Sequence, residues 1–430
     1  MRFHCAFLQI LLCGYESSAM TLHERFDRLD TLLGQLREFW QFSPFHYTSA
    51  YFADKAPALQ AALDALTLND IDRLDADSVA LSAFLQSHIP AASELETLCV
   101  LPALAAQQKL TARSTPGLSE RKQQQIHDFI AVLPSYPLPL LEWCAGKGHL
   151  ARTLARHTTQ PVEGIELQAE LCASGTQLAQ AEGISLILHQ QDALCPTAQR
   201  FFRPELHAVG LHACGELHMQ LLRHGIHAAC EAMTISPCCY HKISADHYQP
   251  MSQVANQSTL QLSRHDLRLS LQESVTGGER IRRLRCLEVS YRLGFDALQR
   301  MVRGVDEYLN LQNLPKALLG EGFAAFCHWA ADKRGITLPQ QVDWSHWEAI
   351  GEQRYLCVSR TELVRHLFRR PLEIWLVLDR ALYLQEHGYQ VHLGTFCERH
   401  LTPRNVMIHA RRAQHACVRD SLIANSHSHE

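Results

Sequence analysis

From Met20 onward, Leu22, Phe26, Leu29, Leu32, Leu33, Leu36 and Phe39 recur three and four positions apart. That spacing predicts one face of an amphipathic helix. The text stays alanine- and leucine-rich to about Leu110, with few glycines and no alternating runs. Residues 119–132 read as a further helix with Ser119 as its N-cap, ended by Pro134, Pro137 and Pro139. At Leu140 the rhythm changes. Short apolar runs at 140–144, 162–167, 185–189, 208–212 and 232–236 alternate with helical stretches at 149–156, 168–182 and 217–223. Such alternation predicts an α/β fold, a parallel sheet with right-handed crossovers. Residues 243–372 return to a mostly helical pattern, strongest at 284–308 and 316–333. A last helix at 372–387 then leads to strands at 390–396 and 405–410.

The pattern divides the chain into six parts. Residues 1–19 read as a leader or an over-called start: Arg2 and the apolar stretch Cys5 to Cys13 imitate a signal peptide, but Leu12 stands where a small residue belongs. Residues 20–115 form a helical front, 116–242 an α/β core, 243–371 a helical insertion, 372–412 a final helix and closing hairpin of the core, and 413–430 a loose polar tail.

Composition narrows the function classes. A chain of 430 residues with 47% hydrophobic and 20% charged positions can bury a large core, which excludes global disorder. No run approaches the roughly 18 apolar residues of a membrane span. The formal net charge of −4 restricts nucleic-acid binding to a local patch. Fifteen cysteines without a CxxC pair argue against a zinc ribbon and for a reduced, cytoplasmic chain.

The chemistry concentrates at the ends of the predicted strands. After the first strand comes Glu142-Trp143-Cys144-Ala145-Gly146-Lys147-Gly148-His149. Gly146 and Gly148 free the backbone to approach a ligand, and the helix behind them favours anionic groups. This turn alone fits a dinucleotide site equally well. Glu142, four residues before Gly146, shifts the balance toward a cationic ligand, and S-adenosylmethionine carries both a sulfonium and an ammonium. Glu166, with Leu167 behind it, ends the second strand, where a carboxylate accepts from ribose hydroxyls. Asp192 and Ala193 follow the third, placed for an adenine amino group. The plainer reading of each acid is helix capping; the ordered set of three favours the cofactor. The fourth and fifth ends carry His212-Ala213-Cys214-Gly215 and Pro237-Cys238-Cys239-Tyr240-His241. His212 is expected to shape the cofactor wall, and Tyr240 and His241 to work on the acceptor. A soft metal held by His212, Cys214, Cys238, Cys239 and His241 is the lesser reading, so no metal is expected.

The strings Gly-Leu-His-Ala-Cys-Gly-Glu-Leu at 210–217 and Pro-Cys-Cys-Tyr-His at 237–241 resemble those of a class I methyltransferase family. That family includes eukaryotic methyltransferase-like proteins, tRNA 2′-O-methyltransferases acting on the acceptor stem, and the C-terminal domain of the glutathione S-transferase C-terminal-domain-containing protein. Residues 378–405 are similar to that last domain, and Arg121 and Lys122 match its basic segment ahead of the glycine turn. The resemblance covers 118–241 and about 372–410. It implies a Rossmann-like class I methyltransferase sheet and S-adenosylmethionine as cofactor, without settling the acceptor. One departure is Cys144, which stands where many such enzymes place the first of three glycines. Arginines at 280, 282, 283 and 285, at 365, 369 and 370, and at 399, 404, 411 and 412 make RNA the first choice of acceptor and protein the second. A nicotinamide-dependent reductase and a non-catalytic binding module are the readings from other classes.

Overall fold

The computed structural model describes residues 20–108, 118–272, 279–311 and 314–413. The expected leader at 1–19 and the tail beyond 413 lie outside the described residues. In the helical front, Thr21 caps α1 (Leu22–Gln35) in a reciprocal capping box with Glu24. Four short helices follow: α2 (Pro57–Asp64), α3 (Leu68–Ala76), α4 (Ser78–Gln86) and α5 (Ala92–Leu98). Then α6 (Glu120–Val132) starts at the expected cap, Ser119.

The strands come next, within a few residues of the positions read from periodicity. They are β1 (Leu140–Trp143), β2 (Val162–Glu166), β3 (Ile187–Gln190), β4 (His207–Cys214) and β5 (Ala232–Cys238). Between them run α7 (His149–His157), α8 (Ala169–Ala181) and α9 (Glu216–His227). The insertion holds α10 (Arg264–Leu267), α11 (Glu279–Arg303), α12 (Phe323–Arg334) and α13 (Trp344–His366), and the chain returns through α14 (Arg369–Glu386), β6 (Tyr389–Thr395) and β7 (Val406–Arg412). The sheet order is β3-β2-β1-β4-β5-β7-β6, parallel from β3 to β5, with β7 antiparallel to both β5 and β6. Strand order reverses between β1 and β4, so a crevice opens at their carboxyl ends.

Period-two alternation along β1 decides which face each side chain meets. Leu140 joins an apolar cluster with Ile126, Phe129 and Ile130 of α6 and Leu150 and Leu154 of α7. Leu141 and Trp143 join the opposite cluster with Leu221 and Leu222 of α9 and the apolar residues of α14. Glu142 therefore points to the α7 side. Residues 372–382 of α14 are all buried, because the sheet covers one side and the helical front the other. A helix enclosed on every side has no need of a polar stripe. Against it α1 packs Phe26 on Trp375, ring centroids 5.2 Å apart, and the Trp375 indole donates to Asp30 at 2.9 Å.

The insertion keeps a separate core around Phe295, Phe323 and Phe326. Its two long helices, α11 and α13, cross where glycines meet: a Cβ on Gly351 would lie 2.4 Å from the Ser290 carbonyl, and one on Gly294 2.7 Å from that of Trp347. The second long stretch expected at 316–333 is in fact a short 3₁₀ turn (Lys316–Glu321) broken by Gly322 before α12. No described helix is long and apolar enough to cross a membrane.

Candidate active site

The glycine turn after β1 is a sequence of left-handed residues. Cys144, Gly146 and Gly148 have φ of 60°, 58° and 62°. Cys144 thus adopts the conformation that a glycine would take freely, at a cost of about 1–2 kcal/mol. A Cβ on Gly146 would meet nothing within 4 Å, so this part of the turn faces open space. A Cβ on Gly148 would press on Leu186 at 3.1 Å, so that glycine serves helix–sheet packing. The Ala145 amide donates to the Ile165 carbonyl at 2.8 Å and ties the turn to β2.

Each expected carboxylate engages a neighbouring backbone. Glu142 is buried and accepts from the Ala151 amide at 2.8 Å, in the first turn of α7. Burial pushes its carboxyl up to about 8, partly offset by that amide and by Lys122. Glu166 accepts from the Gly146 amide at 2.9 Å with one oxygen and from the Gln168 amide at 3.0 Å with the other. Asp192 is exposed and accepts from the Leu194 amide at 2.8 Å, an Asx turn that leaves the carboxylate at the surface. Helix capping and turn closure, the plainer reading of each acid, are thus real. They occupy only part of each carboxylate, which offers about four lone-pair sites.

The three acids share one neighbour, Cys144. Burial first, and then Glu166, Cys214, Glu142 and Asp192 together, push the Cys144 thiol up to about 12. Cys144 is therefore within electrostatic reach of all three carboxylates and of the fourth strand end. Ala193 is buried, whereas Leu167 is 59% exposed. Leu194, which follows β3, is 48% exposed.

On the other side of the switch point the backbone is strained again. His212 and Cys239 have φ of 58° and 46°, and a bulge interrupts the β4–β5 register between Leu211 and Cys214. His212 turns toward α6, where its Nε2 donates to Gln125 Oε1 at 3.2 Å. The Gln125 amide in turn donates to the Leu401 carbonyl at 2.7 Å. Burial, Arg404, Lys122 and Arg121 hold the His212 imidazole down at about 4, so it is neutral at physiological pH.

Tyr240 does not stand where the sequence placed it. Its ring is fully buried, edge-on to His218 with centroids 5.9 Å apart, and the Arg380 guanidinium lies 5.2 Å from its centroid. Its hydroxyl has no partner among the described residues, and burial raises its pKa well above the usual phenol value. A phenol so enclosed packs the wall rather than meeting an acceptor. His241 is half-buried, with an unpartnered Nδ1 and a pKa lowered by burial. Cys214, Cys238 and Cys239 bring their sulfurs within 4.8 Å of one another.

The arginine clusters also change meaning. Arg365 and Arg369 are buried and pair with Glu362 and Asp75, while Arg370 pairs with Glu373. Arg411 pairs with Glu231, and Arg404 donates to the Leu271 carbonyl at 2.6 Å. These two clusters largely hold the fold together. The four arginines at the start of α11 remain exposed.

Residues 121–246 match the family described as "Methyltransferase domain", well under half of the chain. Both cysteine–histidine strings lie inside that segment. Similar solved structures include a protein from work on the conversion of a disulfide bond into a thioacetal group during echinomycin biosynthesis: 20% identity over 23% of this chain and 43% of that one, TM-score 0.20. An rRNA methylase from Streptococcus thermophilus is 13% identical over 27% of this chain and 71% of its own, TM-score 0.21. Geranyl diphosphate C-methyltransferase from Streptomyces coelicolor A3(2) is 14% identical over 34% and 64%, TM-score 0.23. The chain thus spans less than half of the first of these proteins and about two thirds of the others. Likenesses this slight carry no argument; the sheet order and the family match do. Residues 121–246 thus match a methyltransferase domain and supply the five parallel strands of a Rossmann-like α/β sheet.

Proposed function

We propose that the chain transfers a methyl group from S-adenosylmethionine to RNA, of tRNA or rRNA type, in the cytoplasm. The observation that carries the cofactor half is the open Gly146 turn tied to Glu166 at the second strand end, with Glu142 and Asp192 within electrostatic reach of Cys144 in the same turn. When bound, the cofactor supplies a methyl on a positively charged sulfur, ready for in-line displacement. Glu142 meets the ammonium end, and a cation there stabilises the ionised form that burial disfavours. Glu166 takes the ribose hydroxyls and Asp192 the adenine amino group. Leu167 and Leu194 offer apolar surface to the purine, with Ala193 packed beneath them. Ala145, Gly146 and Gly148 let the backbone come close, and neutral His212 shapes the wall. Holding the reacting atoms in line can supply several kcal/mol of the barrier.

Charge at the rim supports an RNA acceptor. Lys122 lies within electrostatic reach of His212, Arg268 and Lys242 within reach of His241, and Lys147 within reach of His149. Lysines and arginines around a crevice fit a phosphate backbone even where the whole chain is slightly acidic. Of the two acceptor-side candidates we retain His241, which keeps exposed surface. The α/β core of 116–242 with 372–412 is the catalytic unit in this reading, and the helical front and insertion help to present the acceptor.

The test supplies purified full-length protein and methyl-labelled cofactor to whole-cell extract, followed by separate ribonuclease and protease digestion. Ribonuclease-sensitive label that falls as salt rises is the expected result. Label in protein alone rejects the RNA acceptor. Calorimetric binding of NADH with none of S-adenosylmethionine rejects the cofactor assignment as well.

A further inference from the structure

Three thiols converge across the ends of β4 and β5, and no step of methyl transfer uses them. Cys214 Sγ lies 3.6 Å from Cys238 Sγ, and the Cys239 sulfur completes a triangle with every side within 4.8 Å. The separation far exceeds the roughly 2.05 Å of a disulfide. It is close to the spacing of about 3.8 Å between two sulfurs that share one tetrahedral zinc at about 2.3 Å from each. Cys238 is buried while Cys214 and Cys239 are half-exposed, so an ion has a way in from solvent.

The backbone is built around this triangle. The bulge between Leu211 and Cys214 sets Cys214 directly opposite Cys238 in the register. Cys239 takes the left-handed φ of 46°, a conformation that costs a side-chain-bearing residue about 1–3 kcal/mol. That turn allows two adjacent cysteines to contribute to one cluster, which an extended strand forbids because successive side chains alternate in direction. The two loops are then clamped together. The Gly215 amide donates to the Cys238 carbonyl, the Glu216 amide to that of Lys242, and the Lys242 amide to that of Cys239, each at 2.9 Å. A Cβ on Gly215 would fall 2.1 Å from the Lys242 carbonyl oxygen, so only glycine permits this approach. Strain on one strand, a bulge on the other and a glycine contact between them hold three soft donors in place.

We propose that Cys214, Cys238 and Cys239 form a three-thiolate site for one zinc ion, which staples the ends of β4 and β5 at the wall of the crevice. Three thiolates select soft metals over magnesium or calcium. Each thiol gives up its proton as its sulfur binds, so up to three protons pass to the buffer for each ion bound, with no change of oxidation state. The proposal does not depend on the methyl-transfer reading, and its readout requires no activity.

Full-length protein, reduced and freed of metal, is titrated with zinc against a colorimetric chelator. It is then alkylated with and without zinc, and the modified cysteines are mapped by peptide mass spectrometry. The expected result is one zinc per chain. Cys214 and Cys239 become protected, while half-exposed Cys195 stays reactive and buried Cys238 stays unmodified throughout. Cys239→Ser should weaken binding at least tenfold. Because alkylation mapping uses the unaltered protein, a variant that fails to fold does not blunt the test. Absence of stoichiometric zinc binding overturns the proposal. So does protection of a different set of cysteines, or a loss of two mass units marking a disulfide as the cluster's only chemistry.

Discussion

On one side of the switch point, the ends of β1, β2 and β3 present Glu142, Glu166 and Asp192, each accepting from a backbone amide nearby. On the other, the ends of β4 and β5 present His212, three clustered thiols and His241 on a backbone twice forced into the left-handed region. The first half stores its specificity in carboxylate acceptors at strand ends. The second stores it in backbone shape. Acceptors at strand ends tolerate a drift of the chain by a few tenths of an ångström. A sulfur triangle made by a bulge, a strained φ and a glycine contact does not. Substitutions should therefore change ligand affinity on the first side and local structure on the second.

The largest effect belongs to Glu166. Its two oxygens satisfy the Gly146 and Gln168 amides, and an unsatisfied buried donor costs about 1–3 kcal/mol. Glu166→Ala should weaken S-adenosylmethionine binding at least about thirtyfold by calorimetry, equivalent to about 2 kcal/mol, while circular dichroism stays near that of the parent. Glu166→Gln, which keeps one acceptor oxygen, should fall in between. An Ala variant binding within threefold of the parent would remove the acceptor side of the comparison.

Next comes Glu142, through pH. Burial raises its folded value to about 8 from 4.5, so the folded protein holds a proton that the unfolded chain has released. The stability contribution is full below about pH 4.5 and is lost as pH rises through about 8. Glu142→Gln keeps an acceptor for the Ala151 amide and removes the titration. Its thermal unfolding midpoint, without cofactor, should vary less between pH 5 and 9 than the parent's. Cofactor affinity should rise with pH up to about 8 in the parent and stay flat in the variant, up to tenfold per unit of pH at most. Parallel pH curves for the two proteins would count against a buried, cation-seeking carboxylate.

Tyr240 sharpens the other half. Its hydroxyl is buried and unpartnered, so Tyr240→Phe should leave turnover within twofold and raise stability by up to about 1 kcal/mol. A hundredfold loss of turnover would return the phenol to the acceptor pocket. This residue also marks where the sequence stopped being readable. Strand and helix positions in the core follow from apolar periodicity, and the carboxylates from residue type at strand ends, because both signals are local. The burial of Tyr240 is not local. It depends on α14, more than a hundred residues later, which brings Arg380 against the ring and into hydrogen bonds with His218 and Tyr248 at 2.7 and 2.9 Å. The arginines at 365, 369 and 370 misled for the same reason: Glu362 and Glu373, near them in sequence, were visible, but Asp75 reaches Arg369 only through the packing of the helical front.

The smallest effect tests whether backbone shape matters on the acceptor side too. Cys144 holds φ at 60° in the turn that Gly146 and Gly148 complete. Cys144→Gly relieves about 1–2 kcal/mol of left-handed strain, yet it adds about 0.5–1 kcal/mol of unfolded-state entropy and gives up the packing of the thiol. The net change should stay within about 1 kcal/mol by denaturant titration, with cofactor affinity unchanged within twofold. Cys144→Val asks the same turn of a β-branched side chain, for which a positive φ is a true outlier. It should cost more than the glycine variant and weaken cofactor binding, because the displaced turn carries the Gly146 amide away from Glu166. If both variants behave alike, the turn is held by its hydrogen bonds from Ala145 and Gly146 and not by the conformation at 144. The contrast between acceptor-built and backbone-built halves then begins at β4, with the strain at Cys144 incidental to it.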